Sequence, residues 1–429
     1  MASNGEEFTE NGLSPDTSGT GHSCNSVNSD AVVLLVSFGV MYDLFEERLT
    51  QLSKNTSEII LFCAFNGEGN ELSEVPPDVT IVPLTNNRDT RLFPIYPLVF
   101  LFHFLYWRYI MRKDFDVIHS IDYFVGPICA VSGALLSGIG SVISVRGLPK
   151  ELTTEYRVEA RNNRDILPFL LSYVLMIYYI VICYFVDELI FKSESESQFV
   201  EDLCWFDINH KSHIIPTGVN IDQFVPSKVT VESSSLITDL FDPAFRNEFA
   251  GKELVLYAGR LVKSKGVLSL AKHHSALECQ DTHLLIVGAP PHRDHDEFMR
   301  ELESVVQESS NIHLHPEYIA HDYISELIDI ASAVALLPSC ENEGAPKILQ
   351  ESLVMNTPCI AADINGIKET FHDISGCLLI DPNDKSQYKR AVEHILRDRI
   401  TVDIELARSR FNLVANYQKV AEVYPRSVG

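Results

Sequence analysis

Two cations and two carboxylates in the second half of the 429-residue chain have the types and spacing to hold an anionic, polyhydroxylated ligand. Arg260 and Lys265 follow an apolar run in the stretch LVLYAGRLVKSKG, with Gly259 between the run and the first cation. Two positive side chains just past the carboxyl end of a strand can clamp a diphosphate. Glu343 and Glu351 stand eight residues apart in LLPSCENEGAPKILQE. The apolar run there ends at Pro338, and Gly344, Ala345, Pro346 and Lys347 lead into a helix that Pro346 can open at its first turn. Free N–H groups at such a helix start attract an anion. Glu343 then sits in the loop and Glu351 in the helix, so the pair reaches two parts of one long ligand. Taken singly, these residues also fit solvated loop charges, a helix cap and a surface acid. His119 ends another apolar run and fits either a cleft residue or a structural histidine. Asp114-Phe115-Asp116 has the spacing of a metal-binding DxD but opens a strand.

The elements that must position these residues are short, continuous apolar runs. Val32–Ser37, Glu58–Phe62, Val79–Leu84, Asp116–Ser120, Ser141–Arg146 and Asp187–Lys192 form one set. Glu253–Ala258, His283–Val287, Asn311–His315, Ala333–Leu337, Pro358–Ala361 and Gly376–Ile380 form another. Continuous rather than alternating runs mark strands covered on both faces. Separated by helix-length spacers, they predict an α/β protein of two Rossmann-like, doubly wound parallel-sheet domains. The expected division is an acidic, disordered tail over 1–30, a first domain over 31–215, a linker over 216–252, a second domain over 253–405, and a closing helical segment over 406–429 that packs back on the first domain. One helix is expected over Ala407–Val423.

Acidic residues number 59 against 34 basic ones, a formal charge of -25. A phosphate backbone would be repelled, so a nucleic-acid partner is excluded. Nine cysteines, an odd number without a CxxC pair, read as free thiols in a reducing compartment rather than a disulfide framework or zinc site. Met1–Asp30 has no Lys, Arg or apolar stretch and does not read as a signal peptide.

Two segments are more apolar than strands require. Ile166–Val186 has no charge over 21 residues, and Ile95–Met111 carries only Arg108, with Arg112 and Lys113 following. Length alone makes Ile166–Val186 a spanning candidate, but a span would separate the two strand sets. The favoured reading is a helix lying on a membrane surface, with Tyr106, Trp107 and Arg112 at the headgroup level. The plainer alternative is a buried helix with core aromatics.

These motifs resemble the GT-B glycosyltransferases of family 4. Glu343 and Glu351 match the family's E-x7-E, and EGAPKILQESLVMNTPCIAADINGIKE resembles its donor-binding block, ending at Asn365, Gly366 and Glu369. HIIPTGVNIDQFVP resembles the interdomain segment, and VDELIFKSES, DVIHS and SVRG resemble strands of the first domain. The resemblance runs from about Val32 to Tyr424 and is densest in the second domain.

It implies two domains facing across a cleft and retaining transfer of a sugar from a nucleotide-diphosphate sugar. Arg260 and Lys265 would stabilise the departing diphosphate, Glu343 would contact the transferred sugar, and Glu351 would bond the ribose hydroxyls. Gly259, Gly344, Ala345, Pro346, Lys347 and, in the first domain, Gly39 would complete the donor site. No metal or other cofactor is implied. His119 and Arg146 are the acceptor-side candidates, and no general base is assigned. The apolar segments suggest a glycan or lipid-linked acceptor, such as a polysaccharide precursor, and a cytoplasmic enzyme peripheral on the inner membrane face. A nucleotide-sugar epimerase on the same fold and a non-catalytic sugar-nucleotide-binding protein are the alternatives. Pro346 and Lys347 depart from the pattern where a glycine and an apolar residue are usual. So do Thr217 and Asn220, and Ser37-Phe38-Gly39 is a reduced form of the first glycine loop.

Overall fold

The structure, a computed structural model, describes residues 31–37, 43–64, 75–85, 95–122, 125–145, 166–227, 251–277, 281–290, 296–338 and 343–424. The expected tail at 1–30, Gly39, Arg146 and most of the expected linker lie outside them.

The first sheet holds β1 (Val32–Ser37), β2 (Glu58–Ala64), β3 (Val79–Thr85), β4 (Val117–Ser120), β5 (Gly140–Ser144), β6 (Glu188–Phe191) and β7 (Ser212–Ile214). Their order is β3-β2-β1-β4-β5-β6-β7. The second holds β8 (Glu253–Ala258), β9 (Thr282–Val287), β10 (Ile312–His315), β11 (Ala333–Leu336), β12 (Cys359–Ala362) and β13 (Cys377–Ile380), in the order β10-β9-β8-β11-β12-β13. Every pairing is parallel. In both sheets the order in which strands are added reverses beside the first strand, which opens a crevice at the strands' carboxyl ends. The twelve apolar runs are the strands to within two residues at each end, and β7 is the one that sequence patterning misses.

The helices are α1 (Asp43–Ser53), α2 (Tyr96–Leu105), α3 (Gly126–Ser137), α4 (Ile166–Phe185) and α5 (Glu194–Leu203) in the first half. The second half has α6 (Val267–Ser275), α7 (Asp296–Gln307), α8 (Ile324–Ile330), α9 (Lys347–Val354), α10 (Asn365–Phe371), α11 (Lys385–Asp398), α12 (Ile404–Arg410) and α13 (Leu413–Val423). Successive residues of β1 point to opposite faces and build two cores. Val33 and Leu35 pack with Leu49 and Leu52 of α1. Leu34 and Val36 pack with Phe100 and Phe104 of α2 and Cys129 of α3.

Two expectations change. The expected single helix over Ala407–Val423 is two helices, α12 and α13, parted at Phe411 and Asn412. Val219 breaks it by pairing with this point from the interdomain segment: its N–H donates to the Phe411 carbonyl at 2.7 Å, and Leu413 N–H donates to the Val219 carbonyl at 3.0 Å. Asn412 caps the new helix, and α13 crosses back so that Val420, Ala421 and Tyr424 join the α1 side of the first core. The spanning alternative for Ile166–Val186 also goes. α4 lies along the sheet with Leu175, Tyr179, Ile182 and Cys183 buried, and among the described residues no helix is long and apolar enough to cross a membrane.

His274 of α6 is fully buried, its ring nitrogens bonded to the Tyr388 hydroxyl at 2.9 Å and the Thr282 carbonyl at 3.1 Å. Burial pulls its pKa down to about 4, and that of His313 likewise. An unfolded histidine titrates near ~6.5, so below that pH the unfolded chain takes up protons that the native one refuses. Stability is therefore full above about pH 6.5 and falls as pH drops toward 4, by roughly 1–3 kcal/mol for each histidine. Melting temperature followed from pH 7 to 4.5 should fall less steeply in His274→Gln than in the parent; equal slopes would contradict the assignment.

Candidate functional site

The second-domain loops meet at the carboxyl ends of β8, β9 and β11. β8 stops at Ala258, the chain turns through Gly259, and the Tyr257 hydroxyl donates to the Arg260 carbonyl at 2.9 Å. Lys265 lies in a short turn closed by Gly266 at φ 70°, which presses so close to β11 that a Cβ would fall 1.6 Å from the Leu337 carbonyl oxygen. Only glycine permits this backbone, and it brings Lys265 beside the loop that follows β11. There Lys265 forms an ion pair with Glu343, 78 residues away in sequence.

Glu343 is held from behind. Gly366, near the start of α10, lies where a Cβ would come within 2.4 Å of the Glu343 carbonyl oxygen and 2.6 Å of Gly344 Cα. A cavity of about 310 Å³ adjoins, lined by Gly259, Arg260, Gly288, Tyr318, His321, Lys347 and Glu351. Burial pushes the Tyr257 hydroxyl well above its ordinary pKa; Glu343 adds to this and Arg260 opposes it, so both charges act on one buried group. Arg260, Lys265, Glu343 and Glu351 thus gather at the same strand ends.

Glu351 is 2% exposed, and its carboxylate meets His321 Nε2 at 2.7 Å and Lys347 Nζ at 3.5 Å. His321 was not among the sequence candidates; it opens a short 3-10 turn (His321–Tyr323) 30 residues before Glu351, where no local pattern marks it. Lys347 also reaches Glu47 of α1, in the first domain, at 3.6 Å. Burial pulls the Lys347 ammonium below its usual pKa, and Glu351 and Glu47 hold it up. Pro346 is the cap residue before α9 rather than inside its first turn.

The first domain closes the cleft through α5. The Glu369 carboxylate of α10 accepts from Ser195 N–H at 3.0 and 2.9 Å and from Ser195 Oγ at 3.1 Å. A Cβ on Gly344 would meet Ser193 Oγ at 2.8 Å, so the Glu343 loop rests directly on the other domain.

His119 is placed inside the first domain rather than at an open cleft surface. It is buried, with Nδ1 bonded to the Tyr424 hydroxyl and Nε2 to Ser144 Oγ, both at 2.9 Å, so it ties the returning C-terminal segment to the sheet. Gly39 and Arg146 lie outside the described residues. The Asp114-Phe115-Asp116 carboxylates are structural: Asp114 pairs with Arg108, and Asp116 accepts from Val32 N–H at 2.7 Å. Among the described residues no group of three or more His, Cys, Asp or Glu side chains is arranged to hold a metal.

A model of Glycosyltransferase Family 4 matches residues 47–223, and one of Glycosyl transferases group 1 matches residues 241–412. The chain belongs to the GT-B glycosyltransferases of family 4. Similar curated relatives of this family-4 chain include D-inositol 3-phosphate glycosyltransferase of Xylanimonas cellulosilytica, 25% identical over 254 residues that make up 56% of this chain and 57% of the relative. Another is the putative teichuronic acid biosynthesis glycosyltransferase TuaC of Bacillus subtilis, 24% identical over 50% of each chain. The chain thus spans about half the length of the curated relatives it matches. Among solved structures, HepE of Anabaena in complex with UDP and glucose shares the fold at TM-score 0.67 and 14% identity, over 91% of this chain and 98% of that one.

Gly366→Ala should move the Glu343 loop. The expected result is donor-dependent turnover reduced about tenfold or more, with a stability loss of roughly 1–3 kcal/mol from overpacking. Steady-state kinetics beside thermal melts check this; unchanged kinetics would show that Gly366 does not set the loop.

Proposed function

We propose that this chain moves a sugar, with retention of configuration, from a nucleotide-diphosphate sugar to a lipid-linked glycan or polysaccharide precursor at the cytoplasmic face of a membrane. The observation that carries the reading is the Lys265–Glu343 ion pair beside the cavity of Arg260 and Glu351. As the bond between the sugar and the diphosphate breaks, negative charge grows on the departing phosphate oxygens. Arg260 and Lys265, in this reading, meet it with fixed positive charge, and such preorganised electrostatics is usually the largest catalytic term. In this reading Glu343, steadied by Lys265, bonds the hydroxyls of the transferred sugar. Glu351, steadied by His321, bonds the ribose, and Gly344, Ala345 and Lys347 line the phosphate side. No side chain is assigned as general base.

The donor follows from the site and from a neighbour of the same fold, HepE, whose structure holds UDP and glucose. UDP-glucose is therefore the first donor to test. The membrane-borne acceptor is supported by the apolar helices α2 and α4, and a polysaccharide precursor by the similarity to TuaC. The reading needs no metal, since the two cations supply the positive charge.

Lys265→Ala and Glu343→Ala should each lower kcat by about 10²–10³-fold, the usual effect of removing one charge-stabilising group. Product anomers read by NMR should keep the donor's configuration. Unchanged turnover in both variants would remove these residues from the reaction. Turnover should also survive excess EDTA; loss restored by a divalent cation would show a metal dependence that the reading does not contain.

A further inference from the structure

We infer that α2, α3 and α4 form a membrane-docking platform for an anionic bilayer surface. This deepens the membrane-face reading above and rests on it. α2 with the π-helical turn that continues it (Tyr106–Ile110), α3 and α4 make up 47 residues with one charged side chain, Arg108. At the chain's overall frequency of 59 acids in 429 residues, about six acids belong in such a length; there are none.

The three helices lie side by side on one face of the first sheet. Their inner sides fill the core with Phe100, Phe104, Cys129, Val131, Ile182 and Cys183. Their outer sides are apolar too: Leu98, Phe102, Leu135, Val174 and Ile177 are each 57–69% exposed. A surface of this kind on three neighbouring helices goes beyond the scattered apolar side chains of an ordinary monomer and marks an interaction site.

The ends of the helices identify the occupant. Helices in a parallel α/β domain run against the strands, so α2, α3 and α4 all finish at the amino edge of the sheet, opposite the cleft. Tyr106, Tyr109 and Met111 end α2, Tyr184 and Phe185 end α4, and Trp205, 87% exposed, follows α5 at the same edge. Arg108 pairs with Asp114 and Lys113 with Glu58 of β2 there, and Arg112 is exposed beside them. Amphipathic aromatics and cations beside a charge-free aliphatic surface match the layering of a bilayer, with headgroups next to hydrocarbon. The exposed Arg112 at this end of the charge-free helices, on a chain of net charge -25, suits anionic headgroups. Two copies meeting through this face would bring two such chains of like charge together.

The platform begins at the cleft edge, where α2, α3 and α4 start, and α4 runs about 30 Å from it. A bilayer on this face places the headgroup layer beside the cleft mouth, so an acceptor headgroup enters sideways without its lipid leaving the membrane.

The test uses the full chain with sucrose-loaded vesicles, either phosphatidylcholine alone or with phosphatidylglycerol. The parent should sediment with the anionic vesicles, and less at high salt. Phe102→Ser/Val174→Ser/Ile177→Ser should bind at least tenfold less, and Arg112→Glu should lose the preference for anionic lipid. All four positions are exposed, so melting temperature and transfer to a short water-soluble acceptor should hold, which separates lost docking from lost folding. Parent protein that never sediments with either vesicle overturns the platform, as does a solution dimer that the triple variant splits. Sugar transfer without vesicle binding would leave the proposed reaction standing and the platform refuted; vesicle binding without transfer would do the reverse.

Discussion

The carboxylate of Glu369 on the amino end of α5 holds the carboxyl ends of the two sheets together, and the cleft depends on that contact. A helix start presents unpaired N–H groups and a partial positive charge, and Glu369 answers both by accepting from two donors of Ser195, its N–H, shared by both carboxylate oxygens, and its hydroxyl. Bonds to a charged group contribute roughly 1.5–3 kcal/mol each when sheltered, less in part-exposed settings. That is enough to define a closed arrangement and small enough to leave it reversible. Gly344 against Ser193 adds shape to the charge: a Cβ there would stand 3.2 Å from Ser193 Cβ and press on the cap of α5.

From that contact the charges of the cleft fall into order. Lys265 meets Glu343, His321 meets Glu351, and Lys347 bridges Glu351 to Glu47 of the other domain. Lys265 and Lys347 are each oriented by an acid, and Glu343 and Glu351 each by a basic side chain. Long side chains so paired have already lost much of their rotamer freedom, so a ligand that exchanges partners with them meets groups largely in place.

Sequence legibility follows the range of the interactions. Continuous apolar runs marked the strands because burial on both faces leaves a local trace. The E-x7-E pair was readable because loop and helix start are adjacent in the chain. His321 escaped because its partner Glu351 is 30 residues on, with no periodicity between them. The break between α12 and α13 escaped because its cause, Val219, is almost 200 residues earlier. Lys347 allowed a phosphate contact or a solvated one, and its reach to Glu47 depends on how the domains meet. His119 kept two readings until Tyr424, 305 residues away, occupied its ring.

The returning segment also bears on how the protein is made. Val420, Ala421 and Tyr424 belong to the same core as Val33 and Leu35, so the domain that leaves the ribosome first lacks part of its interior until Tyr424 has been made. Its nascent form must wait with one face of the sheet incompletely covered, and a truncation of the last ten or so described residues would damage the amino-terminal half rather than the half it is cut from.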